Sequence, residues 1–134
     1  MFAEFIYKNF PYVLVKFNST IENNDDYDNF TEEWLSVYNR QENFEFIFDT
    51  RNVGWIPIKY AFKMTNFISR LKELKHQSLL RSIMIVNNSF VRGILRFIFT
   101  IQSPVAPVYI VNNLEELHQL LTGEMNEFKV YLPN

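Results

Sequence analysis

Three largely apolar runs each end in a polar residue, and each is followed by a helix-like pattern: Phe44 to Phe48 ending at Asp49, Ile83 to Val86 ending at Asn87, and Val108 to Val111 ending at Asn112. Runs of this length suit strands buried on both faces, as in a parallel sheet. Parallel neighbours need crossover connections, and the intervening stretches have helical spacing. Upstream, Phe2 to Tyr7 and Tyr12 to Phe17 read as opening strands, with a turn at Lys8, Asn9 and Pro11. Val13, Val15 and Phe17 alternate with Leu14 and Lys16, the pattern of a strand with one wetter face. Ser19 to Asp28 reads as loop. A first helix is expected from near Asp28 or Thr31, with Phe30, Trp34, Leu35 and Tyr38 at helical spacing.

After Asp49, Gly54 and Pro57 punctuate a loop, and Pro57 sits in the first turn of a helix running to about Lys75. Its core stripe is Tyr60, Met64, Phe67, Ile68, Leu71 and Leu74. A short, very apolar helix, Ser89 to Ile101, follows the second run, and Arg92 and Arg96 share one of its faces. Ser103 to Pro107 turns into the third run. Asn113 is an N-cap for a final helix, Leu114 to Leu121, with Glu115 and Glu116 in the first turn and Gly123 past the end. Phe128 to Leu132 reads as a last short strand or a packed tail. No repeat, linker or low-complexity block divides the 134 residues, so 1–134 is expected to be one domain.

Composition narrows the function classes. Hydrophobic residues at 48% and charged residues at 21% describe a globular chain. The net charge of −2 argues against an electrostatically driven nucleic-acid binder. Charge is nevertheless uneven. Asp25, Asp26, Asp28, Glu32 and Glu33 cluster early, whereas Lys59, Lys63, Arg70, Lys72, Lys75, Arg81, Arg92 and Arg96 face Glu73 alone. Without cysteine there are no disulfides, thiol nucleophiles or cysteine metal sites. The amino-terminal residues lack the basic-then-apolar order of a signal peptide, and Arg92 and Arg96 interrupt the best membrane-spanning candidate. A cytoplasmic protein is therefore expected. There is no P-loop, dinucleotide fingerprint or nucleophile elbow, and His76 and His118 lack partners at metal-ligand spacing. No enzyme activity, metal or cofactor is expected.

The element order and two local textures resemble the STAS and CRAL-TRIO superfamily, whose shared core is called SpoIIAA-like. "FEFIFDTRNVGWIPIKYAFKM" is similar to the STAS stretch in which a strand ends in Asp and runs through a loop into a helix. "SIMIVNNSFVRGILRFIFTIQSPVAPVYIVNNLEEL" is similar to the later strand, short helix, strand and final helix of both families. The resemblance covers roughly Tyr12 to Leu121. It implies an α/β domain with a mixed, mostly parallel central sheet of about four to five strands and helices packed against it. Phospho-switched STAS proteins carry a regulatory serine in the loop matching Asn52 to Ile56, where this chain has no Ser or Thr.

In a parallel sheet, ligands usually meet the carboxyl ends of the strands, which singles out Asp49, Asn87 and Asn112. Each is also a residue type that caps its own loop. Trp55 and Ile56, in a loop, are candidates for an exposed interaction patch, with Arg51 beside them. Phe90, Arg92 and Arg96 belong to a helix that suits either a core position with snorkelling arginines or a lipid surface. The expectation is a STAS-like interaction domain that binds a protein partner or a second copy of itself through Asp49, Arg51, Trp55, Ile56, Asn87, Phe90, Arg92 and Arg96, with no nucleic acid involved. The alternative is CRAL-TRIO-like binding of a lipid or a membrane surface.

Overall fold

The computed structural model describes residues 1–125 and 127–134. Among them the chain forms six strands, β1 (Ala3–Ile6), β2 (Tyr12–Phe17), β3 (Phe44–Asp49), β4 (Leu79–Ile85), β5 (Val108–Val111) and β6 (Lys129–Tyr131). The helices are α1 (Asn24–Val37), α2 (Ile58–Leu71), α3 (Ser89–Ile101) and α4 (Leu114–Thr122). The fold is α/β. One mixed sheet has its strands in chain order, with β2 to β5 parallel and β1 and β6 antiparallel at the two edges.

The central strands are where the apolar runs lie. β4 begins earlier than its run, because Leu79 and Arg81 already pair with Phe44 and Glu45 across a bulge. The sheet has one strand more than the four to five expected, because Lys129–Tyr131 pairs with Val108–Ile110 instead of packing as a tail. The first helix also starts earlier than the sequence pattern implied. Asn23 accepts a hydrogen bond from the Asp26 N–H at 2.9 Å, so the acidic stretch read as loop forms the first turn. Carboxylates are favoured at that end of a helix, next to its unpaired N–H groups. Asn88 and Asn113 cap α3 and α4 in the same way, through the N–H groups of Val91 and Glu116. The second helix stops at Leu71, short of Lys75.

Strand alternation sends the side chains to two unequal layers. On one face, Val13, Val15 and Phe17 of β2 and Phe44, Phe46 and Phe48 of β3 meet Phe30 and Trp34 of α1, Phe67 and Leu71 of α2, and Val91 and Leu95 of α3. On the other face, Ile47, Ile83, Ile85 and Val111 meet Leu117 and Leu120 of α4, with Leu14, Tyr109 and Phe128 beside them. Three crossovers therefore share one side, and α4 alone covers the other. Phe46 is fully buried, with ring centroids 5.0 Å from Trp34, 5.1 Å from Phe44 and 4.8 Å from Phe48. Edge-to-face and tilted contacts of this kind add to the area term of an aromatic core, and truncating such a ring to Ala typically costs about 3–5 kcal/mol.

Beyond the reach of α4, the thinner face carries polar pairs. Glu45 accepts from the Arg81 guanidinium across β3 and β4, and that guanidinium lies 5.5 Å from the Tyr109 ring. Trp34 Nε1 and the Tyr38 hydroxyl are buried one turn apart on the thick side, and neither completes a hydrogen bond. Burial raises the Tyr38 phenol above its ordinary range, and the nearby indole N–H offsets part of that rise.

Candidate functional site

The carboxyl ends of the parallel strands are knit together by short-range polar contacts. Asp49 accepts from the Arg51 backbone N–H at 3.1 Å and from Arg51 Nε and Nη2 at 2.9 and 2.8 Å. The Asp49 and Arg51 side chains are therefore committed to each other in a local Asx-type turn. Arg51 holds the Asp49 carboxyl below its ordinary pKa, mainly through the side-chain hydrogen bonds, while partial burial opposes the shift. Thr50 Oγ1 donates to the Ile85 carbonyl at 2.7 Å, and Asn88 Nδ2 donates to the Val53 carbonyl at 2.9 Å. These two bonds tie the β3–α2 loop to β4 and to the start of α3. Asn87 stands exposed beside them.

The residues singled out in the sequence do not gather into one patch. Ile56 turns inward and lines a cavity between the sheet and α1, α2 and α3. Arg92 donates through Nη2 to the Val86 carbonyl and to Asn112 Oδ1, and with Arg96 it lines a cleft on the β6 side of α3. Trp55 and Phe90 are exposed at 57% and 45%. Helical geometry explains the split of α3. Phe90, Phe97 and Ile101 are spaced seven and four apart and share one stripe, whereas Arg92 and Arg96 project well away from it.

That stripe continues onto α2. Ile58 and Phe62, four apart, are exposed at 53% and 50%, and the Phe62 ring meets Phe97 edge-on at 5.2 Å. Phe62 escaped the sequence reading. The signal was present, since it falls outside the stripe of Tyr60, Met64, Phe67, Ile68 and Leu71 and so cannot share their core face. The outer side of α2 and α3 therefore carries large apolar side chains without cover. Its cations come from α2, which holds Lys59, Lys63 and Arg70, and neither helix has an Asp or Glu.

No family model matches this chain, and no curated protein does.

The cavity behind Ile56 has a volume of about 160 Å³. Its walls are almost wholly apolar and include Phe17, Trp34, Phe48, Met64, Ile94 and Leu95. Thr50 reaches it, but its hydroxyl proton is already given to Ile85. The cavity can hold an apolar group and offers little to a polar one. Among the described residues, no three His, Asp or Glu side chains gather where a metal ion could sit, and no helix is long and apolar enough to cross a membrane.

The Asp49–Arg51 pair gives a pH test with a definite sign. Because the folded-state pKa of Asp49 is lowered, the pair's contribution is present above the ordinary carboxylate range and is lost as pH falls through the lowered value. Arg51 is exposed, so the contribution is small, at most about 1 kcal/mol. Urea denaturation of wild type and Asp49→Asn should differ most near neutrality and converge in acid. A gap that widens on acidification contradicts this reading of the pair.

Proposed function

We propose that the chain is a non-enzymatic STAS-like interaction domain that binds an acidic protein surface through the outer side of α2 and α3. The carrying observation is the coexistence of half-exposed Ile58, Phe62 and Phe90 on the two helices, and of Trp55 in the loop that leads into α2, with cations on α2 and no carboxylate on either helix. Scattered surface apolar residues are ordinary, but contiguous aromatic ones flanked by a single sign of charge are the make-up of a docking surface. Trp and Phe supply the burial, while Lys59 and Lys63 steer an acidic partner and reject a basic one. The STAS-like part of the proposal is supported by the element order, in which two opening strands precede alternating helices and parallel strands. The loop matching the phospho-switch carries no serine or threonine, so the proposed association is constitutive.

The test compares immobilised wild type, Trp55→Ala and Lys59→Glu for the proteins each retains at low salt. Trp55 and Lys59 are exposed, so both variants should keep the wild-type unfolding free energy to within about 0.5 kcal/mol. A partner held by wild type should bind Trp55→Ala about thirty-fold more weakly. It should also lose affinity for Lys59→Glu, and raised salt should weaken the wild-type complex. A partner retained equally by all three proteins places the interface elsewhere. If anionic vesicles are bound instead, and the same variants lose them, the surface belongs to a membrane.

A second reading, CRAL-TRIO-like binding of a lipid, is favoured by the apolar cavity. At about 160 Å³ it has room for one small apolar group or a few carbons of an acyl chain. Apolar cavities of this size stay dry and accept such guests. Native mass spectrometry of the purified protein should then show a retained lipid-sized mass that denaturing conditions release. A bare chain mass under both conditions rejects the reading.

A further inference from the structure

The sheet is wider than the helical layer above it. α1, α2 and α3 cross over one face, while the chain reaches β6 through α4 on the other. A cleft of about 530 Å³ opens between α3 and the β5–β6 edge. Small-molecule sites run from about 300 to 1,000 Å³. Leu95 of α3, Ile110 of β5, Phe128 and Tyr131 give it apolar walls, and Arg92, Arg96 and Lys129 line it with positive charge. The Tyr131 ring is held between Phe99, at 4.8 Å, and the Lys129 ammonium, at 4.9 Å.

Among the described residues, neither arginine has a carboxylate partner, and the ion pairs join Arg51 to Asp49, Arg81 to Glu45 and His118 to Glu124. Arg92 is half-buried, and its hydrogen bonds go to two neutral oxygens, the Val86 carbonyl and Asn112 Oδ1. Two carboxylates do line the cleft. Glu116 is engaged by the backbone N–H and Nδ2 of Asn112, and Glu127 is exposed. Asn112 therefore links Arg92 to Glu116 and fixes the plane of the guanidinium, which makes it a positioning residue. A partly desolvated guanidinium with only neutral acceptors is stabilised by an anion, and its planar fork matches the two oxygens of a carboxylate.

We propose that this cleft binds a small carboxylic acid with an apolar body. The carboxylate bridges Arg92 and Arg96, and the body lies against Leu95, Ile110 and Tyr131. None of these residues belongs to the Trp55 and Phe62 surface, so either proposal can fail alone.

The probes are 3-phenylpropionate, an apolar body with a carboxylate, and inorganic phosphate, an anion with no such body. Each is titrated at constant ionic strength into isotope-labelled wild type, Arg96→Gln and Arg96→Lys, with backbone amide shifts as the readout. Arg96 is exposed, so these variants should fold. 3-Phenylpropionate should bind wild type saturably, with the largest shifts on α3 and β6. Arg96→Gln should weaken it at least about tenfold, and Arg96→Lys should recover only part of the loss, since Lys keeps the charge without the fork. The proposal is overturned if wild type shows no saturable shift at millimolar probe, if Arg96→Gln binds as well as wild type, or if phosphate binds as tightly as 3-phenylpropionate.

Discussion

The Phe46 and Phe48 rings on the thick side of β3 lock α1 to the sheet through Trp34, whose centroid lies 5.0 Å from Phe46 and 5.3 Å from Phe48. The indole also meets Phe67 of α2 edge-on at 5.3 Å, so one side chain joins two helices to the central strand. With β3 fixed beneath α1 and α2, its carboxyl end and the loop through Trp55 are fixed as well. Thr50 and Asn88 then bind that loop to β4 and α3 by buried or half-buried hydrogen bonds. The surface features follow from this aromatic centre and from the strand order imposed on it.

Strand order accounts for the three features that could bind something. Successive parallel crossovers in one direction stack α1, α2 and α3 on a single face. Their outer side then faces away from the sheet and must be polar or partnered, and on α2 and α3 it is neither fully polar nor covered. The same stacking leaves the apolar cavity beneath the helices, where many large rings meet imperfectly. It also leaves β6 without a helix above it, which opens the cleft beside Arg92 and Arg96. The charge pattern separates their chemistry: a cationic apolar ridge, a neutral apolar interior, and an amphipathic cleft with an excess of cations.

Much of the architecture was legible in the chain. Continuous apolar runs marked β3, β4 and β5, because burial on both faces removes alternation. Asn113 and Gly123 bracketed α4 as capping chemistry requires. Other features were decided by contacts that local pattern does not encode. The pairing of β6 with β5 depends on residues some twenty positions apart in the chain, and Phe128 to Leu132 alone suits a tail equally well. The start of α1 turned on Asn23, whose capping bond outweighed the loop-like texture of the acidic stretch. At the candidate site, residue type was informative where rotational position was not resolved. Asp49 suited either a ligand group or an Asx-type cap of its own loop, and its bonds to Arg51 are those of the cap, whereas Ile56 read as exposed but is turned inward. Phe90 and Arg92, two residues apart, look toward different surfaces because each helical residue advances about 100° around the axis.

The functional account rests on the outer side of α2 and α3 as the binding face. The most direct measurement places a photo-reactive phenylalanine analogue at Trp55 in one protein and at Tyr12, on the opposite side of the sheet, in another. Each is then irradiated in cells of the native host. The account predicts a covalent adduct of one acidic protein from the first position and none from the second. Adducts formed only from Tyr12 would contradict it, and so would the absence of any adduct at Trp55.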